Sequence, residues 1–287
     1  MGSGIKFNLH MHTTHSPCSD MDPKDLVERA VKKKLEVICI ADHNTTNGAR
    51  EAWEYQQKHA LPIIIEFGYE ATTDFGEVLL NFLSHEECDI LDNRKKLKYD
   101  EGVCKFPTLY EIINYFKSKN SRILDAGNHM FQSAWKSKRK GLDLYKACGA
   151  KVDFDFKKRI IIIDKSKDKG EHIFNSVAEA ANFLDYIELN GTNMSVKESL
   201  AAIIFAEAYG KPLVCNGDDH FLGQVGRRYS IAHKSNVREA ILTNSLEIPF
   251  LPDNMGYIRK KLSYLLARYY RMFEGIRKNK STSSNKS

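Results

Sequence analysis

Short apolar segments of this chain end at residue types that bind metals in many proteins. One such segment leads into His10 and His12, and another, much later in the chain, leads to Asp218 and His220. On an extended strand, side chains two residues apart point to the same side. Two strand ends of this kind would each direct two potential ligands into one cavity. The pattern therefore predicts a metal site that forms only when distant parts of the chain fold together.

Strand-like segments alternate with helical patterns along most of the chain. A buried strand is predicted over residues 36–41, and helices are predicted over residues 46–59 and 197–209. Asp22 followed by Pro23 is typical of a helix start. This alternation favours a parallel sheet with crossover helices, most economically a barrel. The candidate ligands follow strands, and active sites of such barrels form at the carboxyl ends of the strands.

Hydropathy and charge divide the 287 residues into three parts. A barrel domain is predicted over residues 1–252, with an irregular insertion around 131–175 that contains one clear strand, 159–164. A basic amphipathic helix is predicted over residues 253–280, and residues 281–287 are predicted to be disordered. The first part is long enough for one large α/β domain.

The net charge of +6 belongs to the C-terminal part. Residues 255–287 contain nine Lys or Arg and one Glu, so this part carries +8 and the rest of the chain −2. The basic helix is open to three interpretations: packing on the barrel or on a second subunit, contact with a nucleic-acid backbone, or binding to an anionic membrane surface. Both a homo-oligomer and a nucleic-acid partner therefore stay open.

We expect a cytoplasmic protein without a transmembrane segment. No apolar run approaches the ~18 residues of a membrane span, and the N-terminus lacks the apolar stretch of a secretory signal. The six cysteines include no Cys-x-x-Cys pair, and several, such as Cys39 and Cys215, fall in apolar runs. We interpret the cysteines as reduced thiols in the core rather than as a zinc finger.

Further imidazole and carboxylate side chains follow other predicted strands, namely His43, Glu70 and His129. Neutral imidazoles and carboxylates are the ligands expected for Zn²⁺, Mn²⁺ or Fe²⁺. Clustering several carboxylates without a cation would be unfavourable, because like charges oppose each other's ionisation.

Six short motifs occur in order within residues 5–233. They are LHMHTT from Leu9, SPCSD from Ser16, IADHNT from Ile40, GYE from Gly68, IELNG from Ile187 and GDDH from Gly217. In combination these motifs resemble the PHP family, the polymerase and histidinol phosphatase superfamily. The resemblance implies a distorted seven-stranded (β/α) TIM-like barrel that holds two or three divalent metal ions.

The resemblance also implies a ligand set. His10, His12, Glu70 and Asp218 match the ligands of one metal ion, and Glu70 would bridge to a second ion that His129 also binds.

A third ion would be bound by His43 and His220 together with an early acidic residue or histidine. We choose Asp20 as that early ligand. His15 stays open as the alternative, because the spacing does not decide between them.

The chain departs from the family pattern at two places. Many family members have a histidine after the glutamate strand, where this chain has Glu77. A carboxylate can still bind a hard or borderline cation, so Glu77 is retained as a candidate ligand of an altered second site. The usual Ala-His-Pro is replaced by residues 126–130, AGNHM.

The resemblance implies hydrolysis of a phosphoester in a small phosphorylated metabolite or nucleotide. A bound cation can lower the pKa of water from 15.7 to about 7, so we hypothesise that a metal-bridging hydroxide attacks phosphorus. A metal-bound water or a nearby acid such as His15 would protonate the leaving oxygen, and Arg227 or Arg228 would bind the phosphate. The residues assigned to catalysis are His43, Glu70, Asp218 and His15.

Two alternatives remain. The basic C-terminal part favours a nuclease or oligonucleotide phosphodiesterase, although the slightly acidic remainder argues against an extended binding groove. A non-catalytic, metal-stabilised interaction module is supported mainly by Glu77 in place of the usual histidine.

Overall fold

A computed structural model describes most of the predicted barrel domain. The described residues are 4–73, 76–93, 109–128, 130–131, 143–164, 172–190 and 194–249. The predicted ligand His129, the predicted basic helix and the predicted disordered tail lie outside this part of the chain.

Eleven strands occur among the described residues, and nine of them form one sheet. The strands are β1 (Ile5–Met11), β2 (Val37–Ile40), β3 (Ile64–Thr73), β4 (Gly76–Leu83), β5 (Leu124–Gly127), β6 (Lys151–Asp155), β7 (Ile160–Asp164), β8 (Tyr186–Asn190), β9 (Leu213–Asn216), β10 (Ser230–Ala232) and β11 (Leu246–Glu247). Strands β6 and β7 pair only with each other, as an antiparallel hairpin in the predicted insertion.

Eight helices connect and cover these strands in the described part. They are α1 (Pro23–Lys32), α2 (Asn47–His59), α3 (His85–Asn93), α4 (Leu109–Ser118), α5 (Leu144–Cys148), α6 (Val177–Phe183), α7 (Val196–Ala208) and α8 (Val237–Leu242). As the sequence predicts, the Asp22 side chain caps α1 by accepting a hydrogen bond from the Lys24 N–H. None of the described helices is both long and apolar enough to cross a membrane.

The sheet order is β11-β10-β1-β2-β3-β4-β5-β8-β9, and its ends approach each other. After β9, the Asp219 carbonyl accepts a hydrogen bond from the His12 N–H at 2.9 Å, and the Asp219 N–H lies 3.3 Å from the His10 carbonyl oxygen. The seven strands from β1 round to β9 therefore form a nearly closed barrel, which confirms the predicted fold. Strands β10 and β11 extend the edge of β1 and raise the number of strands in the sheet to nine.

The predicted parallel sheet is interrupted at β4, which is antiparallel to both β3 and β5. Only two residues separate β3 from β4. A parallel pair needs a crossover of about a dozen residues or more, whereas a short connection forces a hairpin.

Strand β2 shows how the barrel is buried on both faces. Val37 and Cys39 belong to one apolar cluster, and Ile38 and Ile40 belong to another. Alternate residues of a strand face opposite sides, so a continuous apolar run is expected where both faces are covered. Polar residues at the ends of such strands are then fixed by rigid neighbours.

Candidate metal centre

Histidine and carboxylate side chains converge at the carboxyl ends of the parallel strands. His43, just after β2, forms an isolated bridge with Glu70 in β3, and the bridge between Met11 and Asp219 brings the end of β1 to the segment after β9. The side chains that these pairings gather are His10, His12, His43, Glu70, Asp218 and His220.

His12 lies at the centre of this cluster. Its Nε2 atom is 3.1 Å from His10 Nε2, 3.1 Å from Asp218 Oδ1 and 3.2 Å from Glu70 Oε2. His43 Nδ1 is 3.0 Å from the same Glu70 oxygen. Four of these side chains are almost fully buried and His43 is one-tenth exposed, so the charges that they carry are poorly solvated.

Hydrogen bonds at the far side of two imidazoles, His10 and His12, orient the other nitrogen of each towards the cluster. His10 Nδ1 is 2.7 Å from Glu188 Oε1, so its N–H donates to that carboxylate and the Nε2 lone pair faces inward. Ser16 donates its single hydroxyl hydrogen to Asp42 at 2.6 Å. The Ser16 oxygen, 3.2 Å from His12 Nδ1, therefore accepts from that nitrogen. Both imidazoles are held in the tautomer that a metal ligand needs.

The two histidines have high affinity for protons in the absence of a cation. Burial alone would lower the pKa of His10, but the nearby carboxylates, Glu188 foremost, raise it well above its ordinary value. Burial likewise opposes a charge on His12, but hydrogen bonds to Asp218 and Glu70 raise its pKa to about 9. The cluster thus attracts positive charge.

Glu70 shows the complementary effect. Burial would raise its pKa, but the neighbouring imidazoles, His43 foremost, hold the pKa well below its usual range. Once the imidazoles have released their protons, an ionised buried carboxylate among their lone pairs is a ligand set that fits Zn²⁺, Mn²⁺ or Fe²⁺.

Three overlapping groups of side chains have ligand atoms within 4.8 Å of one another. Among the described residues they are His10, His12 and Asp218; His12, His43 and Glu70; and His12, Cys18 and His220. His12 belongs to all three groups, but its Nδ1 is engaged with Ser16, so it has one lone pair to offer.

The structure does not bring the two candidate early ligands into these groups. The Asp20 side chain is exposed. His15 Nε2 is 3.2 Å from Glu51 Oε2 in α2, and about a third of its side chain is exposed. The third group contains Cys18 instead, which sequence analysis assigned to the reduced core thiols.

Glu77 lies beside the cluster. It is 4% exposed, and its Oε1 atom is 3.8 Å from His43 Nδ1. The carboxylate therefore faces the same imidazole as Glu70.

Arg227 and Arg228 lie in the turn after His220. The Gln224 side chain holds this turn by accepting a hydrogen bond from the His220 N–H at 2.7 Å. Arg227 is exposed, and the Arg228 carbonyl oxygen lies 3.4 Å from Asn8 Nδ2.

Sequence analysis did not identify several residues that form hydrogen bonds to the ligands of this cluster. Asn128 donates a hydrogen bond to Glu70 Oε1 at 2.6 Å, and it is the residue before His129 in the altered motif. Ser16 connects His12 to Asp42, which also accepts hydrogen bonds from the backbone and side chain of Thr13.

Comparison with known proteins identifies the family. The PHP domain model matches residues 8–241, and the chain belongs to this family. Among curated proteins, the uncharacterized protein MJ1587 of Methanocaldococcus jannaschii is 30% identical over 134 residues, which span 42% of this chain and 76% of that protein.

Two solved structures share the fold. One is a two-domain protein from Bacteroides vulgatus that contains a predicted PHP-like metal-dependent phosphoesterase; its TM-score is 0.55 at 15% identity, over 87% of this chain and 65% of that chain. The other is PsfC from Pseudomonas syringae, with a TM-score of 0.56 at 13% identity over 94% of this chain and 99% of that chain. This chain thus spans about two thirds of the first protein.

Proposed function

We propose that this protein is a metal-dependent phosphoesterase that hydrolyses a small phosphorylated metabolite or nucleotide. The observation that carries the proposal is the convergence of buried ligands in a PHP-domain barrel. His12 Nε2 lies within 3.2 Å of ligand atoms of His10, Glu70 and Asp218.

Two or three divalent ions, zinc, manganese or iron, would be held by the groups around His12. When bound, such ions supply Lewis-acid catalysis, because they activate water for attack on phosphorus and neutralise charge on the phosphoryl oxygens. His10 and Asp218 would hold one ion, and His43 and Glu70 would hold a second, with Glu77 beside them.

Hydrogen bonds with surrounding residues orient these ligands for metal binding. Glu188 accepts the Nδ1–H of His10, and the pair of Ser16 and Asp42 does the same for His12. Removal of an outer partner of this kind typically weakens metal binding or activity by about 10–100-fold.

In this proposal two further functions come from side chains outside the buried cluster. Arg227 or Arg228 binds a phosphate oxygen through a charge-assisted hydrogen bond. His15, whose Nε2 atom lies 3.2 Å from Glu51 Oε2, protonates the leaving oxygen.

The activity test uses the full-length, metal-loaded protein with three substrates: an aryl phosphate, an aryl phosphodiester and a short oligonucleotide. Turnover of the monoester alone supports the proposal. His43→Ala should abolish that turnover, whereas His59→Ala, an exposed position on α2, should leave it unchanged.

Two other outcomes contradict it. Turnover of the oligonucleotide that falls steeply with salt would favour the nuclease, because phosphate contacts release counterions. Tight metal binding without turnover of any substrate would favour the interaction module.

A further inference from the structure

Cys18 is not among the ligands that the family resemblance implies, yet its thiol lies among metal-ligand atoms. Its Sγ atom and one ring nitrogen of each of His12 and His220 are all within 4.8 Å of one another. Zinc binds thiolate and imidazole ligands at about 2.0–2.3 Å, so three donors this close together can converge on a single ion. Cys18 is half-buried, whereas both histidines are buried.

The segment that carries Cys18 is attached to both histidines through hydrogen bonds. The Ser19 Oγ atom is 3.1 Å from the carbonyl oxygens of both His12 and His220, so it shares its hydrogen between them. The Asp20 N–H also lies 3.4 Å from the His220 carbonyl oxygen. The position of Cys18 beside the histidines is therefore fixed by contacts that do not involve its own side chain.

Hydrogen bonds place the lone pair of both histidines on Nε2. His220 Nδ1 is 2.8 Å from the Asp218 carbonyl oxygen, which can only accept, so Nδ1 carries the hydrogen and the lone pair is on Nε2. His12 is oriented by Ser16 in the same sense. His12 belongs to all three groups but can donate its one lone pair to a single ion. Cys18 and His220 occur in this group alone, so they are its distinguishing ligands.

We propose that Cys18 binds a divalent metal ion as a thiolate, together with His220 and next to His12, and that it makes this position selective for zinc. The inference rests on the proposed metal centre. It adds a thiolate to the imidazole and carboxylate ligands of that centre. As the sulfur–metal bond forms, the S–H bond breaks and its proton passes to solvent. A soft thiolate favours Zn²⁺ over Mn²⁺ and Mg²⁺, which prefer oxygen ligands.

Cobalt is the first probe, because a thiolate bound to Co²⁺ gives a charge-transfer band in the near ultraviolet. Chelator-treated, full-length protein titrated with Co²⁺ should show this band, and Cys18→Ser should bind Co²⁺ without it. Cys148→Ser is the matched control, since the Cys148 Sγ atom donates to the Leu144 carbonyl oxygen at 3.0 Å in α5 and serine retains that hydrogen bond. This control should keep the band.

Zinc affinity gives a second readout. Loss of an outer partner already costs about 10–100-fold, so loss of a direct ligand in Cys18→Ser should lower Zn²⁺ affinity by about 100-fold. Cys18→Asp, which restores an anionic ligand through oxygen, should shift the preference from Zn²⁺ towards Mn²⁺. Asp20→Asn should change neither affinity nor the cobalt band.

X-ray absorption of the zinc-loaded wild-type protein tests the contact without any variant. It should show a sulfur scatterer at about 2.3 Å. Metal binding with no sulfur contact, or a cobalt band that survives Cys18→Ser, overturns the assignment of Cys18 and leaves the metal centre standing. If the wild-type protein binds neither Zn²⁺ nor Co²⁺, the centre itself fails, and this inference fails with it.

Discussion

Protonation of His12 should stabilise the metal-free protein at low pH. Burial alone would lower the pKa of this imidazole, but hydrogen bonds to Asp218 and Glu70 raise it from 6.5 to about 9. A pKa that is higher in the folded state favours folding when the group is protonated. The contribution is therefore complete below pH 6.5 and is lost as the pH rises through 9. At 1.36 kcal/mol per unit of pKa, it amounts to about 3 kcal/mol.

The measurement is urea unfolding of chelator-treated protein at pH 6 and at pH 9. Loss of the proton from His12 should make the free energy of unfolding about 3 kcal/mol lower at pH 9 than at pH 6. His10 contributes in the same direction, because its pKa is also raised. Asp218→Asn removes one of the carboxylates that attract the proton, so the difference between the two pH values should be smaller in that variant.

Saturation with zinc should remove this loss of stability, because a bound cation replaces the proton and requires neutral imidazoles. The free energy of unfolding of the metal-loaded protein should therefore be at least as high at pH 9 as at pH 6. The reasoning is refuted if the metal-free protein is equally stable at the two pH values, or more stable at pH 9.

Three further outcomes are expected. Glu188→Gln should lower Zn²⁺ affinity about 10–100-fold in a chelator competition, because the carboxylate that orients His10 is lost; unchanged affinity would contradict this role. His15→Ala should slow hydrolysis of an alkyl phosphate by about 100-fold or more but affect an aryl phosphate little, since an aryl oxide leaves without a proton; equal effects would exclude His15 as the acid. Ser195→Ala should lower the free energy of unfolding by about 1 kcal/mol in urea denaturation, because Ser195 and Glu198 form the capping box of α7; no change would argue against that cap.

The barrel-like fold could be predicted because its signals are local. The apolar run of β2 and the cap at Asp22 are each visible within a few neighbouring residues, and both appear in the structure as expected. The positions of His10, His43 and Asp218 followed in turn, because residues just past parallel strands must meet at one edge of the sheet.

The rest depends on contacts between distant residues. The antiparallel direction of β4 follows from the short connection to β3, but pairing of β10 with the outer edge of β1 carries no sequence signal that we recognise. Cys18 could not be distinguished from a core thiol by its neighbours along the chain, because it is Ser19 and the distant His220 that place it in the cluster. Asp20 has the expected ligand chemistry but an exposed side chain.

Buried charge bears on the number of ions that the centre binds. Six carboxylates in or next to the cluster are less than a tenth exposed, and no lysine or arginine of the described chain is buried to that extent. They are Asp42, Glu70, Glu77, Glu188, Asp218 and Asp219. Hydrogen bonds such as those to Asp42 offset part of this charge, but an uncompensated buried charge is strongly destabilising. In the metal centre that we propose, a single divalent ion would balance only a third of the six charges, so the buried carboxylates favour two or three ions over one.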